Sequence, residues 1–216
     1  MLAINKNEIL NWPGGKFTPK VDHIGIEKPL PISLATGGSP ASTIRAAEMG
    51  LPIVYAIIGG KMEHFAPLIK LYKAIAERTG QDLSKMPIAA HSWGWLSDDK
   101  DKAIKEYFYP TKLLVDAISK ERPNWTGMTY DQYLEGIADD GVMFVGDSET
   151  VANKIIRMME TLGLTRFYLH LPIASMPHED IMNAIEIYGN EVVPKVKKHF
   201  KDKENKKKLF SFKWKK

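Results

Sequence analysis

Residues 31–60, PISLATGGSPASTIRAAEMGLPIVYAIIGG, contain two short apolar runs, and each of them ends in a pair of glycines. The runs Pro31–Thr36 and Ile53–Ile58 have the length and composition of buried β-strands. Between them, Ser39 is a good helix N-cap and Pro40 suits the first helical position. The stretch therefore predicts a strand, a turn, a helix and a second strand.

The same alternation of strand and helix continues through the rest of the chain. The predicted elements are a helix carrying Phe65 to Ala76, a strand at Pro87–Leu96, a helix from Asp98 through Ile118, a short helix around Tyr130–Ala138, a helix at Ser148–Leu162, a strand at Arg166–Leu171 and a helix from near His178 that carries Val196. Apolar strands that each precede a helix are typical of an α/β fold with a parallel sheet covered by helices. Four such units fit an open doubly wound sheet or half of an eight-unit barrel, and their number alone favours neither.

The composition is that of an ordinary globular domain, because 44% of the 216 residues are hydrophobic and 26% are charged. This length predicts one domain, or two small ones. The sequence has no apolar run of about 18 residues, no signal-peptide pattern and no cysteine. These features argue against a membrane span, a disulfide framework and a thiolate metal site. We expect a cytoplasmic protein with no membrane partner and no bound metal.

The charge is distributed unevenly along the chain. The segment Lys195–Lys216 holds eleven lysines against Asp202 and Glu204, a local charge of +9, so the total of +4 leaves −5 for the remainder. We expect residues 198–216 to form a lysine-rich, solvated tail, with contact to a polyanion or a membrane surface as the alternative. A nucleic-acid partner is not expected.

The first glycine pair is a candidate anion-binding turn. Gly37 and Gly38 follow a predicted strand, and Ser39 and Ser42 lie at the start of the predicted helix. Unpaired amide groups and the helix dipole favour an anion at such a position, and glycines let a phosphate approach the backbone. The residues alone leave open a simple tight turn with a capped helix. The spacings of the dinucleotide-binding and P-loop motifs are absent from the sequence.

A second glycine pair and two histidines are weaker candidates. Gly59 and Gly60 follow the next predicted strand, at the same edge of a parallel sheet. His91 and His170 lie in predicted strands, where a histidine is either a hydrogen-bonded core residue or a group that touches a ligand. The sequence contains neither a metal-ligand spacing of histidines nor a GxSxG nucleophile motif, which argues against a hydrolase.

Four segments together resemble one known family. They are residues 30–60, FAPLIKLYKAIAERTG at 65–80, VGDSETVANKI at 145–155 and SMPHEDIMNAIEIYGNEVVPKV at 175–196. In this order they look like the C-terminal part of the bacterial luciferase-like flavin monooxygenases. The resemblance spans about Pro31 to Val196, and its most specific piece is the stretch from Gly37 to Pro52.

The resemblance implies an α/β fold whose parallel (β/α) units form the C-terminal half of a TIM-type (β/α)8 barrel. It implies reduced FMN as cofactor, with F420 as the other possibility, and O2 and a small organic substrate as reactants. The phosphate role carries over to Gly38, Ser39 and Ser42, with Gly37 shaping the turn. Ile58 and Gly59 fall where the next strand approaches the flavin ring. No catalytic residue is carried over.

The sequence departs from the family because the strands of the first half of the barrel have no counterpart in it. We interpret residues 1–30 as the end of a helix and a loop, and residues 31–197 as the partial barrel. Such a partial barrel has two unpaired sheet edges and an uncovered interior, so we expect a homodimer or a complementing chain. The alternative to a flavin-dependent oxidoreductase is a non-catalytic flavin-binding or assembly module.

Overall fold

The computed structural model describes residues 10–12, 15–17, 31–123, 125–171, 173 and 176–213, with side chains from residue 31 to residue 205 within these ranges. The strands are β1 Leu10–Trp12, β2 Gly15–Phe17, β3 Leu34–Thr36, β4 Ile53–Ala56, β5 Ile88–Leu96, β6 Phe144–Gly146 and β7 Arg166–His170. The α-helices are α1 Pro40–Glu48, α2 Ala66–Arg78, α3 Lys100–Glu121, α4 Tyr130–Ile137, α5 Ser148–Leu162, α6 His178–Ile187 and α7 Val193–Lys213, and a π-helical turn, Tyr188–Val192, joins the last two.

The main sheet consists of five parallel strands. Strands β3, β4 and β5 are neighbours in that order, with Leu34 opposite Ile53 and Ile53 opposite Ile88. Strand β5 is the longest and pairs with two further strands, with β7 through residues 89–93 and with β6 through residues 94–96. The predicted α/β class with a parallel sheet is confirmed.

Two β elements were not expected from the sequence. Strand β6 has only three residues, all buried, and so short a run gives almost no periodic signal. Strands β1 and β2 form an antiparallel pair with Trp12 opposite Gly15, where the sequence predicts a helix end and a loop. The dipeptide Pro13-Gly14 between them is a turn signal that could have indicated a hairpin. The remainder of residues 1–30 lies outside the described residues.

The lysine-rich C-terminal segment is helical for most of its length. The sequence predicts a solvated tail from residue 198, whereas helix α7 extends to Lys213. The predicted last helix is divided by the π-helical turn, which leaves α6 and α7 as separate elements. Residues 214–216 lie outside the described residues.

Within the described residues, helices cover one face of the main sheet. Neighbouring residues of a strand point to opposite faces, and residues paired in register share a face. Ile53 and Tyr55 lie on the covered face and are fully buried against the helices. On the opposite face Ala35, Tyr168 and His170 are exposed. A closed barrel would enclose this second face, so the sheet is part of a barrel wall whose inner surface is open.

Helix α2 holds strand β4 in place. In α2, Ile69, Tyr72 and Ile75 recur at helical spacing and are buried. The Tyr72 hydroxyl donates to the Leu51 carbonyl at 2.6 Å, just before β4 begins. Tyr55 of β4 donates to the Leu68 carbonyl at 3.3 Å and so ties the strand to the same helix. Strand β4 is therefore held at both ends of its covered face.

A buried lysine attaches the segment before β6 to the rest of the fold. Lys154 of α5 is 7% exposed, and its ammonium donates to the carbonyl oxygens of Ile137, Ala138 and Met143. Burial lowers the pKa of Lys154 to about 8. The group is therefore still protonated at neutral pH, where its three N–H donors serve these three carbonyls, two of them at the C-terminal end of α4.

Replacing Lys154, which lies in helix α5 and not in the sheet, should destabilise the fold. We expect Lys154→Met to lower the free energy of unfolding by about 3 kcal/mol, because it leaves buried carbonyl oxygens without donors. Urea unfolding followed by circular dichroism measures this. Lys105→Met, at an exposed position of α3, is the control and should change stability by less than about 0.5 kcal/mol. Equal losses of stability in the two variants would contradict the role of Lys154 as donor to the buried carbonyl groups.

Candidate functional site

The candidate site lies at the carboxyl edge of the sheet. Because β3, β4 and β5 are parallel, the turns that follow them are at the same edge. Ligands of parallel α/β folds bind at this edge. The turn after β3 holds Gly37, Gly38 and Ser39, and the turn after β4 holds Ile58 and Gly59.

The hydroxyl of Thr36 organises the turn after β3. Thr36 is buried, and its Oγ1 accepts the amide hydrogens of Gly38 at 3.3 Å and Ser39 at 3.2 Å. Gly38 has a φ of 106°, a conformation that L side chains rarely adopt. A Cβ added there would lie 3.3 Å from the Phe65 ring. A glycine is required at position 38, and the amides of residues 38 and 39 are oriented together.

Helix α1 adds its N-terminus to this turn. The Ser39 side chain caps the helix by accepting the amide hydrogen of Ser42 at 3.4 Å, and Pro40 occupies the first helical position. Ser39 is exposed and Ser42 is half-buried. The hydrogen bonds in which Thr36 Oγ1 and Ser39 Oγ accept amide hydrogens are long, at 3.2 to 3.4 Å, and they join neutral groups. A phosphate oxygen carries charge and is therefore the stronger acceptor for the same amides.

The turn after β4 presents open backbone. The Ile57 amide donates to the His91 carbonyl at 2.8 Å, which joins the end of β4 to β5. Ile58 is half-buried and Gly59 is exposed. A Cβ added at Gly59 would meet nothing within 4 Å, and the same holds at Gly37. A flat ring could therefore approach the backbone of both turns without a steric conflict.

A cleft of about 640 Å³ opens beside the second turn. The turn after β4 forms one wall, the segment from α4 to Met143 forms another, and Trp93 and Trp125 lie between them with ring centroids 6.3 Å apart. The volume is within the range of small-molecule sites. The cleft includes the predicted site residues Ile58 and Gly59, whereas Gly37, Gly38, Ser39 and Ser42 lie outside it, at the end of the neighbouring strand.

An ion pair joins the two walls of the cleft. Lys61 Nζ lies 2.8 Å from Asp140 Oδ2. The hydrogen bond to Asp140 raises the pKa of Lys61, and the same bond lowers the pKa of Asp140. Both side chains are solvent-exposed, so the ion pair contributes little to stability and its two side chains can separate when a ligand binds.

Two histidines lie on the open face of the sheet. The ring centroids of His91 and His170 are 5.4 Å apart. Burial, and next the charge of His170, lowers the pKa of His91. Ala90 of β5 pairs in register with Tyr55 on the covered face, so His91, the next residue, points to the opposite face. His91 pairs in register with Ala56, the last residue of β4. The pair is therefore on the interior side of the barrel wall, near the turn that carries Ile58.

Sequence reasoning missed two contributors to this site. Thr36 organises the first turn, and its signal was a threonine directly before two glycines, where a hydroxyl commonly bonds to nearby amides. The pairing of Lys61 with Asp140 had no signal, because the two residues are 79 positions apart.

Within the described part of the chain, no group of three or more His, Cys, Asp or Glu residues could hold a metal ion. None of the helices described there is long and apolar enough to cross a membrane.

A family model matches most of the chain, and similar solved structures share its fold. The family model for luciferase-like monooxygenases matches residues 2–166. No curated protein matches the chain. Similar solved structures include the monooxygenase RslO1 of Streptomyces bottropensis, with 18% identity, a TM-score of 0.63 and coverage of 87% of this chain and 55% of that one.

Two further structures share the fold. One is the F420-dependent tetrahydromethanopterin reductase of Methanopyrus kandleri, with 20% identity, a TM-score of 0.54 and coverage of 76% and 50% of the two chains. The other is the oxygenating constituent of 3,6-diketocamphane monooxygenase of Pseudomonas putida, in complex with FMN, with 17% identity, a TM-score of 0.57 and coverage of 89% and 60%. The chain thus spans little more than half the length of these proteins, which fits the predicted partial barrel.

The lowered pKa of His91 predicts a pH-dependent stability. The unfolded chain, with a histidine pKa near 6.5, binds more protons than the folded chain below that pH, so stability falls as the pH drops from about 6.5 through the folded-state pKa. We expect His91→Gln to flatten this dependence in urea unfolding below about pH 6.5. Asn183→Gln, at an exposed position of α6, exchanges one neutral amide for another, is the control and should keep the wild-type slope. An unchanged slope in His91→Gln would refute the assignment.

Proposed function

The chain belongs to the luciferase-like monooxygenase family, and from this premise we propose that it binds the phosphate end of a flavin and takes part in flavin-dependent oxidation of a small organic substrate. The cofactor is FMN, with F420 as the alternative, and O2 is the oxidant. The observation that carries the proposal is the turn after β3. It combines two oriented amides, a helix N-terminus and two serine hydroxyls at the edge where parallel sheets bind ligands.

The phosphate is assigned to Gly38, Ser39 and Ser42, with Gly37 shaping the turn. The amides of Gly38 and Ser39 both donate to Thr36 Oγ1, at 3.3 Å and 3.2 Å, and a charged phosphate oxygen would compete with this neutral acceptor for them. The serine hydroxyls can donate to the same anion, and the dipole of the nine-residue helix α1 favours its charge. The residues present therefore fit a phosphate monoester, which is the group that distinguishes FMN from riboflavin.

The flavin ring is assigned to the turn after β4. Ile58 offers an apolar contact, and Gly59 leaves its backbone accessible. The neighbouring cleft, lined by Trp93, has room for a substrate on the ring's exposed side. A bound reduced flavin would supply the electrons that activate O2. The part played by this chain is to position the ring and to shield it from water with Ile58 and the cleft walls.

The open inner face of the sheet implies a partner. The five strands β3 to β7 are fewer than the eight that close a barrel, and His170 and Tyr168 are exposed where a closed barrel would enclose them. We propose a homodimer, or a complementing chain, that covers this face and completes the flavin site.

A non-catalytic flavin-binding or assembly module is the second candidate. It is favoured by the same open face, because a site that water can reach would give poor protection to flavin-dependent oxygen chemistry. Flavin that binds without any oxidation of NAD(P)H or of a substrate would select this candidate. Flavin-dependent turnover would select the oxidoreductase.

The phosphate assignment predicts the effect of removing the two hydroxyls. We expect Ser39→Ala combined with Ser42→Ala to weaken FMN binding by about 1 to 3 kcal/mol, since each hydroxyl bonds to a charged group. Quenching of flavin fluorescence gives the affinity. Unchanged FMN affinity would refute the assignment.

A second variant separates binding from helix stability. Ser39→Asp keeps a good N-cap, so α1 should remain as stable, but its carboxylate repels a phosphate. We expect it to lose FMN binding at least as strongly as the double alanine variant, with an unchanged thermal midpoint. If Ser39→Asp bound FMN as well as the wild type does, the phosphate would have to lie elsewhere.

The partner proposal predicts a defined assembly. Light scattering on the purified chain should give twice the mass of one 24.4 kDa chain. Tyr168→Lys places a charge on the open face, and we expect it to shift the population to monomer, whereas Lys120→Glu, at an exposed position of α3, should not. A monodisperse monomer in the wild type would contradict the homodimer.

A further inference from the structure

The cleft beside the turn after β4 has aromatic and apolar walls. The indole rings of Trp93, which is buried, and Trp125, which is half-buried, have their centroids 6.3 Å apart. Four further apolar side chains line the cleft, those of Val115, Met128, Val142 and Met143. Large aromatic and aliphatic surfaces around a cavity of this size favour a ligand with a flat apolar ring.

Hydrogen bonds to helix α3 hold Trp125 and Met128 in place. Asp116 Oδ1 accepts the Met128 amide hydrogen at 2.9 Å, and Lys112 Nζ donates to the Met128 carbonyl at 3.1 Å. Lys112 also donates to Asp116 Oδ2 at 2.7 Å. The Trp125 amide donates to the carbonyl of Arg122, which follows α3 directly. This wall is therefore formed before a ligand binds, which lowers the entropic cost of binding.

The charged side chains that line the cleft are mostly acidic. They are one cation, Lys61, and two carboxylates, Glu135 and Asp140, so the lining has a net charge of −1. Asp140 is paired with Lys61 at 2.8 Å. Glu135 lies three residues after Gln132 on α4, so both residues face the cleft from the same side of the helix. The charge that the ion pair does not balance is therefore that of Glu135.

The environment of Lys61 is negative. Asp140 raises the pKa of Lys61 most, and Glu63 and Glu135 raise it further. An anionic ligand that approached the Lys61 ammonium would also approach these three carboxylates, which repel it. A cationic ligand would be attracted by the same groups. The cleft is therefore better suited to a cation than to an anion.

Two cations of α5 are close to Asp140 but do not line the cleft. Lys61 chiefly, and Arg157 in addition, lower the pKa of Asp140. Lys154 is buried, and its ammonium donates to three backbone carbonyls of the cleft wall. A ligand inside the cleft therefore meets the lining carboxylates more directly than it meets Arg157 or Lys154.

We propose that this cleft binds a protonated organic amine that carries a flat apolar ring. The ring packs against the two indoles, and the ammonium group lies near Glu135 and an indole face, which attracts cations. This inference rests on the proposed function, in which the cleft holds the substrate, and it names the class of that substrate. The flavin phosphate is assigned to the turn after β3, outside the cleft, so the two ligands require opposite charges at different places.

Calorimetric titration of the full chain without flavin tests the class of ligand. The probes are phenethylamine, phenethyl alcohol and hydrocinnamate, which share a phenyl ring and differ in charge. We expect the amine to bind at least about fivefold more tightly than the alcohol, and the carboxylate to bind most weakly. Equal affinities of the amine and the alcohol would overturn the proposal, and so would tighter binding of the carboxylate or no binding of the amine.

The flavin-free titration separates this inference from the proposed function. A preference for the amine in a chain that does not bind FMN would refute the flavin assignment and support the class of ligand. Binding of FMN without a preference for the amine would overturn the class of ligand alone.

Three charge variants locate the ammonium group. Glu135→Gln should reduce the preference for phenethylamine over phenethyl alcohol at least about threefold, because it removes the unbalanced carboxylate. Lys61→Gln should increase the preference, because it leaves Asp140 without its partner. Glu77→Gln, exposed in the last turn of α2, removes one acidic charge outside the cleft and should leave the preference unchanged. Equal effects of the two glutamate variants, or a lower preference in Lys61→Gln, would overturn the proposal.

An aromatic variant tests the indole contact. Trp125→Leu keeps the wall apolar but removes a ring that is half-buried, so the core of the domain should stay intact. We expect it to weaken binding of phenethylamine more than that of phenethyl alcohol, since only the amine gains from the charge distribution of the indole. Wild-type affinity for the amine in this variant would overturn the proposal.

Discussion

Within the described residues, helices cover one face of the parallel sheet, and the position of the candidate site and the proposed assembly both follow from this arrangement. Ile53 and Tyr55 are fully buried beneath the helices, while Tyr168 and His170 on the other face are exposed. A parallel sheet is normally covered on both faces, because its strands are apolar throughout. The described chain therefore provides one wall of a barrel. The proposed assembly would supply a cover for this inner face, and this links the fold to that proposal.

The same sheet determines where chemistry can occur. Parallel strands bring their carboxyl ends to one edge, and there the turns after β3 and β4 present amides, hydroxyls and exposed glycine backbone side by side. Thr36 sets the first turn by holding two amides in one direction. The cleft next to the second turn is bounded by the segment that Lys154 attaches to α5. The proposed phosphate and ring positions thus follow from strand direction, whereas one wall of the cleft depends on the buried Lys154.

The sequence predicted those features that local chemistry controls. The strand and helix rhythm, the Ser39 cap and Pro40 at the first helical position are all properties of short stretches, and the structure has them. The sequence did not predict β6, whose three residues are too few to show a period, and it did not predict the β1–β2 pair. It also missed Lys154, because a buried lysine that serves three carbonyls is indistinguishable in sequence from a surface lysine. The cleft could not be foreseen, since it is formed by segments about 70 residues apart.

We propose that the turn after β3 holds the phosphate of a flavin. The most direct test compares the affinities of the purified chain for FMN and for riboflavin, which share the ring and differ in the phosphate. Titration followed by flavin fluorescence should show FMN binding at least about tenfold more tightly, and increasing salt should reduce the difference. Equal affinities for the two flavins, or no binding of either, would contradict the account.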